Sequence, residues 1–206
     1  MKNMLMLFVL ILLSCNNKKE NLTRRNECIN IIQTLIGPNG LEMEKNFSTK
    51  YEIPICLNLK KNIVNNKCFV ETKSDNKIKI VKLPEKSFTN NGEVCIEKLY
   101  KSKPIENIFF NKKDSLAITN QNETIKIFKI PKSYTGKFKT IEETEKLKIT
   151  EKYIQFSIPI FSTDNTKAYI ELDFYTDNEN SFGKSIYMEK VNGKWKIKYI
   201  ERNWNI

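Results

Sequence analysis

Glu171, Asp173 and Asp177 are the compact acidic group of this 206-residue chain. Glu171 and Asp173 stand two positions apart in the alternating run Tyr169-Ile170-Glu171-Leu172-Asp173-Phe174-Tyr175. In a strand both carboxyls therefore point to one side, about 6.6–6.8 Å apart. Paired carboxyls at roughly such a distance suit general acid and base work on a glycosidic bond, and Asp173 with Asp177 could hold a loose cation. The plainer reading is a row of solvated acids on the outer face of a half-buried strand. Nothing else in the chain supplies catalytic chemistry. There is no histidine, so the usual general base and the usual partner of a Ser or Cys nucleophile are missing. There is no glycine-rich phosphate cradle and no serine inside Gly-x-Ser-x-Gly. The expectation is a protein without catalytic residues, metal or cofactor.

Aromatic side chains offer a binding alternative. Tyr169, Tyr175, Tyr187 and Trp204 would form a stacking surface for glycan or peptide if they fall on an open sheet face, and ordinary core or rim packing if they do not. After Cys15, four cysteines remain, at Cys28, Cys56, Cys68 and Cys95. They contain no Cys-x-x-Cys and have no histidine beside them, which argues against structural zinc. In an oxidising compartment they are candidates for disulfides, in any of three pairings.

The first fourteen residues, Met1-Lys2-Asn3-Met4-Leu5-Met6-Leu7-Phe8-Val9-Leu10-Ile11-Leu12-Leu13-Ser14, combine one lysine with an apolar stretch from Met4 to Leu13. That stretch is too short for a permanent membrane span and has the length of a signal-peptide core. Leu12-Leu13-Ser14-Cys15 resembles the lipobox of bacterial lipoproteins. The resemblance implies removal of residues 1–14, a thioether-linked diacylglycerol and an acylated amine, such as palmitate, on Cys15, and a partner in membrane lipid. Asn16 after the cysteine looks like routing to the outer membrane, with the body facing either the periplasm or the cell surface. Loss of the leader removes Lys2 and lowers the formal charge from +11 to +10. The basic excess is spread along the chain, with no aromatic and basic stretch of a nucleic-acid motif, so nucleic acid is not an expected partner.

Residues 15–26 read as a lipid-anchored tether and residues 27–206 as one α+β domain. Cys28, Ile31, Ile32 and Leu35 predict a helix that covers one face of a sheet and stops at Gly37-Pro38-Asn39-Gly40. Ile53, Ile55, Leu57 and Leu59 alternate as a strand, in which Pro54 implies an edge or a bulge. Strands are also expected at 68–71, 77–83, 94–99 and 124–130, and short helices at 114–121 and 140–147. Asp114-Ser115-Leu116 resembles the O-glycosylation site of exported Bacteroidetes proteins, with Ser115 as acceptor; alternatively Asp114 caps a helix.

From about residue 153 the pattern becomes a four-stranded antiparallel sheet. Ile154, Phe156, Ile158 and Ile160 pair as one hairpin with Ala168, Ile170, Leu172 and Phe174, one face buried and Pro159 on an edge strand. Asn192-Gly193 predicts a type I′ hairpin with Val191 opposite Lys194, Glu189 opposite Lys196, Met188 opposite Ile197 and Ile186 opposite Tyr199. Phe156 to Ser162, Ala168, Gly193 to Ile197 and Trp204 resemble the C-terminal third of small Bacteroidetes lipoproteins of no assigned activity. Gly193-Lys194-Trp195-Lys196-Ile197 is also similar to the last hairpin of cone-shaped NTF2-like domains. The expected role is an envelope lipoprotein that binds a glycan or protein, or builds structure, without catalysis. The alternatives are a hydrolase using acidic residues and an immunity-type protein that binds a toxin.

Overall fold

The computed structural model describes residues 23–38, 40–41, 53–65, 70–72, 80–82, 93–96, 99, 109–124, 127–142, 152–176 and 181–205. Residues 23–36 form the first helix, α1, as the apolar stripe predicts. Cys28, Ile31, Ile32 and Leu35 are all fully buried, and each branched side chain so removed from water stabilises the fold by about 1.5–3 kcal/mol. The helix ends at Gly37, where the Gly40 N–H donates to the Gly37 carbonyl (3.0 Å) and the Leu41 N–H to the Leu35 carbonyl (2.9 Å). A Cβ on Gly40 would run into the Thr34 and Leu35 carbonyl oxygens, so the chain can fold back on the helix end only with glycine there.

Thirteen strands are described. They are β1 (Ile55–Cys56), β2 (Asn58–Leu59), β3 (Ile63–Asn65), β4 (Val70–Thr72), β5 (Ile80–Lys82), β6 (Glu93–Cys95), β7 (Phe128–Lys129), β8 (Thr140–Ile141), β9 (Tyr153–Phe156), β10 (Ile160–Phe161), β11 (Lys167–Tyr175), β12 (Phe182–Val191) and β13 (Lys194–Asn205). Seven make the main sheet, in the order β13-β12-β11-β9-β1-β8, with β10 also on β11. β9 to β13 are antiparallel as expected, whereas β1 adds in parallel to both β9 and β8. β2 pairs β7, β3 pairs β6 and β4 pairs β5 in separate ribbons. A further helix, labelled α2, runs Asp114–Thr124. With one helix leading a mostly antiparallel sheet, the fold is α+β.

Several local expectations need correction. Pro54 does not mark an edge, because β1 lies between β8 and β9; the proline stands just before the strand, where its carbonyl accepts from Ile154 N–H (2.9 Å) and no ladder donor is required of it. Thr140 and Ile141 are a strand and not the start of a helix, since pairing with Ile55 and Cys56 overrides local propensity. Thr124 belongs to α2, and the strand expected from it shrinks to β7. Asn192 and Gly193 both take positive φ, 51° and 75°, as a type I′ turn requires. The register holds from Val191–Lys194 to Met188–Ile197 and then shifts. Lys198 is an extra residue, so Tyr199 faces Tyr187, and Ile186 faces Ile200.

The sheet is buried on both faces. Ala168, Ile170, Leu172, Phe174, Ile186 and Met188 join Ile55, Phe156, Trp195 and the α1 stripe in one core. Tyr169 and Tyr187, one residue out of phase, join Val94, Leu99, Phe109, Phe110, Ile118 and Ile160 in a second core on the other side. The expectation of one solvated face fails because Val94, Leu99, Phe109, Phe110 and Ile118 of α2 pack over it.

Candidate functional site

The second face is where the chemistry-bearing side chains meet, and a bulge brings them together. Between Phe156 and Phe161 the chain runs one residue longer than β11 does between Leu172 and Ala168. Ile160 thereby turns to the second core while Phe161 stays in the first. Pro159 lies in this irregular segment, not on a sheet edge, and needs no ladder donor. The bulged segment receives Lys60 as a short parallel neighbour. Lys60 N–H donates to the Phe156 carbonyl (2.9 Å), and Ile158 N–H donates to the Lys60 carbonyl (2.8 Å).

This pairing aims the Lys60 ammonium at the two predicted carboxylates. It is ion-paired and hydrogen-bonded to Asp173 Oδ2 and lies 3.7 Å from Glu171 Oε2. Glu171 Oε1 accepts a hydrogen bond from the Tyr169 hydroxyl at 2.7 Å. Having spent its proton there, Tyr169 is the acceptor for Ser185 Oγ, also at 2.7 Å. Ser157 Oγ accepts from both the Glu171 N–H (2.8 Å) and the Asn62 side-chain amide (2.9 Å). Glu171 and Asp173 are 6% and 2% exposed, so they are interior and not solvated acids. Burial, and then the Glu171 charge, raise the Tyr169 phenol well above its ordinary value.

The arrangement joins a neutral donor chain, Ser185 to Tyr169 to Glu171, to an ammonium shared by two carboxylates. Lys60 bridges the acids, where a glycosidase would hold substrate and water. Asp177 lies outside the described residues, and Asp173 faces Lys60, so the cation reading of that pair has no described geometry. Among the described residues no group of three His, Cys, Asp or Glu side chains is placed to hold a metal.

The proposed stacking surface is not assembled. Tyr169 and Tyr187 are buried, edge-on to each other at 5.2 Å, with Phe109 against Tyr187 at 5.3 Å. Tyr175 is half-buried and stacks on Tyr153 at 4.5 Å. The backbone of Trp204 pairs with Gly183, and its side chain lies outside the described residues. The tyrosines follow the pleat correctly, but the face they share is an interior one.

Two of the disulfide candidates are free thiols. Cys28 is on the inner side of α1 in the first core, where burial pushes its thiol up to about 12. Cys56 follows Ile55, which fills that same core, so the pleat turns it to the opposite face of β1. There its thiol lies 3.4 Å from the Asn58 carbonyl, and burial raises it too. The sheet separates the two sulfurs and no bridge can join them. Cys68 lies outside the described residues, and of Cys95 only the backbone, in β6, is described. Cys15 also lies outside them.

Asp114 does cap a helix, and it does more. Its Oδ2 accepts from Asn111 N–H (2.9 Å), while Asn111 Oδ1 accepts from Lys113 N–H (2.8 Å), a reciprocal capping arrangement at the start of α2. Its Oδ1 takes the Thr163 N–H and hydroxyl, both at 2.9 Å. Gln121, near the other end of α2, gives its amide N–H to the Phe161 carbonyl and takes the Phe161 N–H, each at 2.9 Å. The sequence pattern did not reveal Lys60, Ser157, Ser185 or Gln121 as members of the polar framework. Only the odd-numbered phase shared by Tyr169, Glu171 and Asp173 hinted at a common face.

An open concavity lies elsewhere. A groove of about 1060 Å³ runs between the C-terminal half of α1 (Asn30, Gln33, Thr34, Gly37) and the start of β13 (Lys194 to Ile197, with Ile200). Its floor is anchored where Glu27 accepts from Trp195 Nε1 (2.7 Å) and pairs with Lys190 (2.6 Å). Among the described residues no helix is long and apolar enough to cross a membrane. No family model, no curated protein and no solved structure matches the chain.

Proposed function

We propose that the chain is a bacterial envelope lipoprotein. Residues 1–14 are its signal peptide, Cys15 carries the lipid, and the tether is the stretch from residue 16 to 22, shorter than the expected 15–26 because α1 already begins at Thr23; the α+β body is a binding or structural module without catalysis. The leader's short apolar core and Ser14-Cys15 support the anchor, by resemblance to the lipobox, and Asn16 supports the outer membrane as its destination. The observation that carries the non-catalytic reading is the Lys60 bridge between Glu171 and Asp173. The compact acid pair, the best candidate for hydrolysis in the sequence, is spent on holding an interior ammonium, whereas the groove beside β13 is open.

Growth of the expressing bacterium with an alkyne fatty acid tests the anchor. The protein should become tagged and sediment with outer membrane, and Cys15→Ala should be untagged. A parent without tag, or a tagged Cys15→Ala variant, contradicts the reading. Turnover of a glycoside substrate that disappears in Glu171→Gln would restore the hydrolase alternative.

A further inference from the structure

We infer that the open edge of β13 and the C-terminal half of α1 form a groove that binds an extended acidic peptide of a partner protein as an added strand. The inference rests on the reading of the body as a binding module and names the ligand class. Among the described residues β13 has one strand neighbour, β12, so the other edge of a twelve-residue strand is open. Lys190 on β12 donates its N–H to the Thr166 carbonyl (2.7 Å), away from β13. Its opposite number Trp195 is therefore a non-hydrogen-bonded pair member whose own N–H and C=O turn to the open edge; two residues on, Ile197 opposite Met188 does the same. These are the groups onto which an extended chain adds.

The groove lies along this edge, so a strand added there would have a wall for alternate side chains. Trp195 and Ile197 line its floor, Ile200, 36% exposed, stands at the open end, and Asn30, Gln33 and Thr34 of α1 face them. Every second peptide residue should thus be apolar. The residues between them meet Lys194 and Lys196, which also line the groove and are exposed, while Lys198 is engaged with Glu189 at 3.4 Å. Antiparallel pairing of a second copy about Lys196 would oppose lysine to lysine, which disfavours that register. The same charge favours an acidic partner and speeds its approach.

The test is fluorescence anisotropy of a short labelled peptide alternating valine with glutamate, titrated with the full chain in detergent. Its controls are a valine–lysine alternation and a peptide of the same composition with its glutamates and valines in separate blocks. The alternating acidic peptide should bind, Ile200→Asp should weaken it about tenfold or more, and the double variant K194E/K196E should prefer the lysine peptide. Equal binding of the blocked peptide, or no binding by the parent, overturns the proposal. So does a disulfide-linked dimer of Ile200→Cys at the concentrations used, which would assign the edge to a second copy. If a variant fails to fold, the discrimination among the three peptides by the parent still decides. Fatty-acid tagging is read separately, so failure of the anchor and failure of the groove are distinguishable.

Discussion

Lys60 and Asp173 lie 113 positions apart and form an ion pair inside the protein, with the Lys60 side chain only 14% exposed and that of Asp173 2%. Placing both charges in a low dielectric costs several kcal/mol per ion, and the pair repays it only through close geometry and further hydrogen bonds. Those further partners are present. Glu171 is the second anion at Lys60, Tyr169 and Ser185 extend the network behind it, and Ser157 fixes the Glu171 backbone. The network ties the bulge after β9 to the middle of β11 and β12, so its chemistry serves register and packing.

Removing one hydroxyl from this network should be costly. Tyr169→Phe keeps the ring against Tyr187 but leaves Glu171 Oε1 without that donor and Ser185 without that acceptor. Urea unfolding should show a loss of about 1–3 kcal/mol. Tyr134→Phe, at an exposed tyrosine, should be neutral by comparison. Equal stability of the two variants would mean that the Tyr169 hydroxyl contributes nothing net.

Alkali should unfold the protein through Cys28. Its folded value is raised from 9.0 to about 12 by burial. The folded state therefore binds the proton more tightly, and the contribution is complete below about pH 9 and lost as pH rises toward 12. At most about 4 kcal/mol is involved. Tyr169 and Cys56, also raised by burial, act with the same sign. Stability measured from about pH 8 to 11 should fall, and Cys28→Ala should flatten the fall even though it lowers stability at neutral pH. An unchanged slope in Cys28→Ala would locate the alkaline sensitivity elsewhere.

Gln121 holds α2 to β10 with both halves of its amide. Gln121→Glu replaces the donor that faces the Phe161 carbonyl with an acceptor, and should cost about 1–3 kcal/mol. Faster hydrogen exchange in α2 than in β12 and β13 is the local signature, since the anchor of that end of the helix to Phe161 is weakened while Asp114 and the packing of Ile118 remain. Uniform acceleration across the protein would indicate that α2 has no independent opening.

Periodicity made half of this fold legible. The α1 stripe, the β11 pleat and the Asn192-Gly193 turn are local patterns that lead to the observed elements, whereas the alternation of Ile53 to Leu59 marks the buried side chains correctly but divides into β1 and β2, which join different sheets. What they could not reveal is what lies opposite. Tyr169, Glu171 and Asp173 look like a solvated face until Val94, Leu99, Phe109, Phe110 and Ile118 pack over the tyrosine and Lys60 over the acids. Lys60 was one lysine among many, because nothing near it in sequence marks a partner 113 positions away. The extra residues at Ile158-Pro159 and Lys198 shift the phase of alternation, so strict alternation puts Ile160 and Tyr199 on the face opposite to the one they occupy. Cys28 and Cys56 looked alike as thiols, and only the sheet between them distinguishes their surroundings.

The central claim, that Glu171 and Asp173 are structural and function lies outside the buried face, is tested most directly by a double-mutant cycle on Lys60 and Asp173. Lys60→Met and Asp173→Leu should each destabilise the protein by about 3–5 kcal/mol, since the first takes the shared cation from two buried carboxylates and the second leaves the buried ammonium with Glu171 alone of the two acids. The double variant should lose less than the sum, with a coupling of about 1–3 kcal/mol. Additivity within about 0.5 kcal/mol, with little cost for Lys60→Met, would contradict the claim and leave both carboxylates free for chemistry.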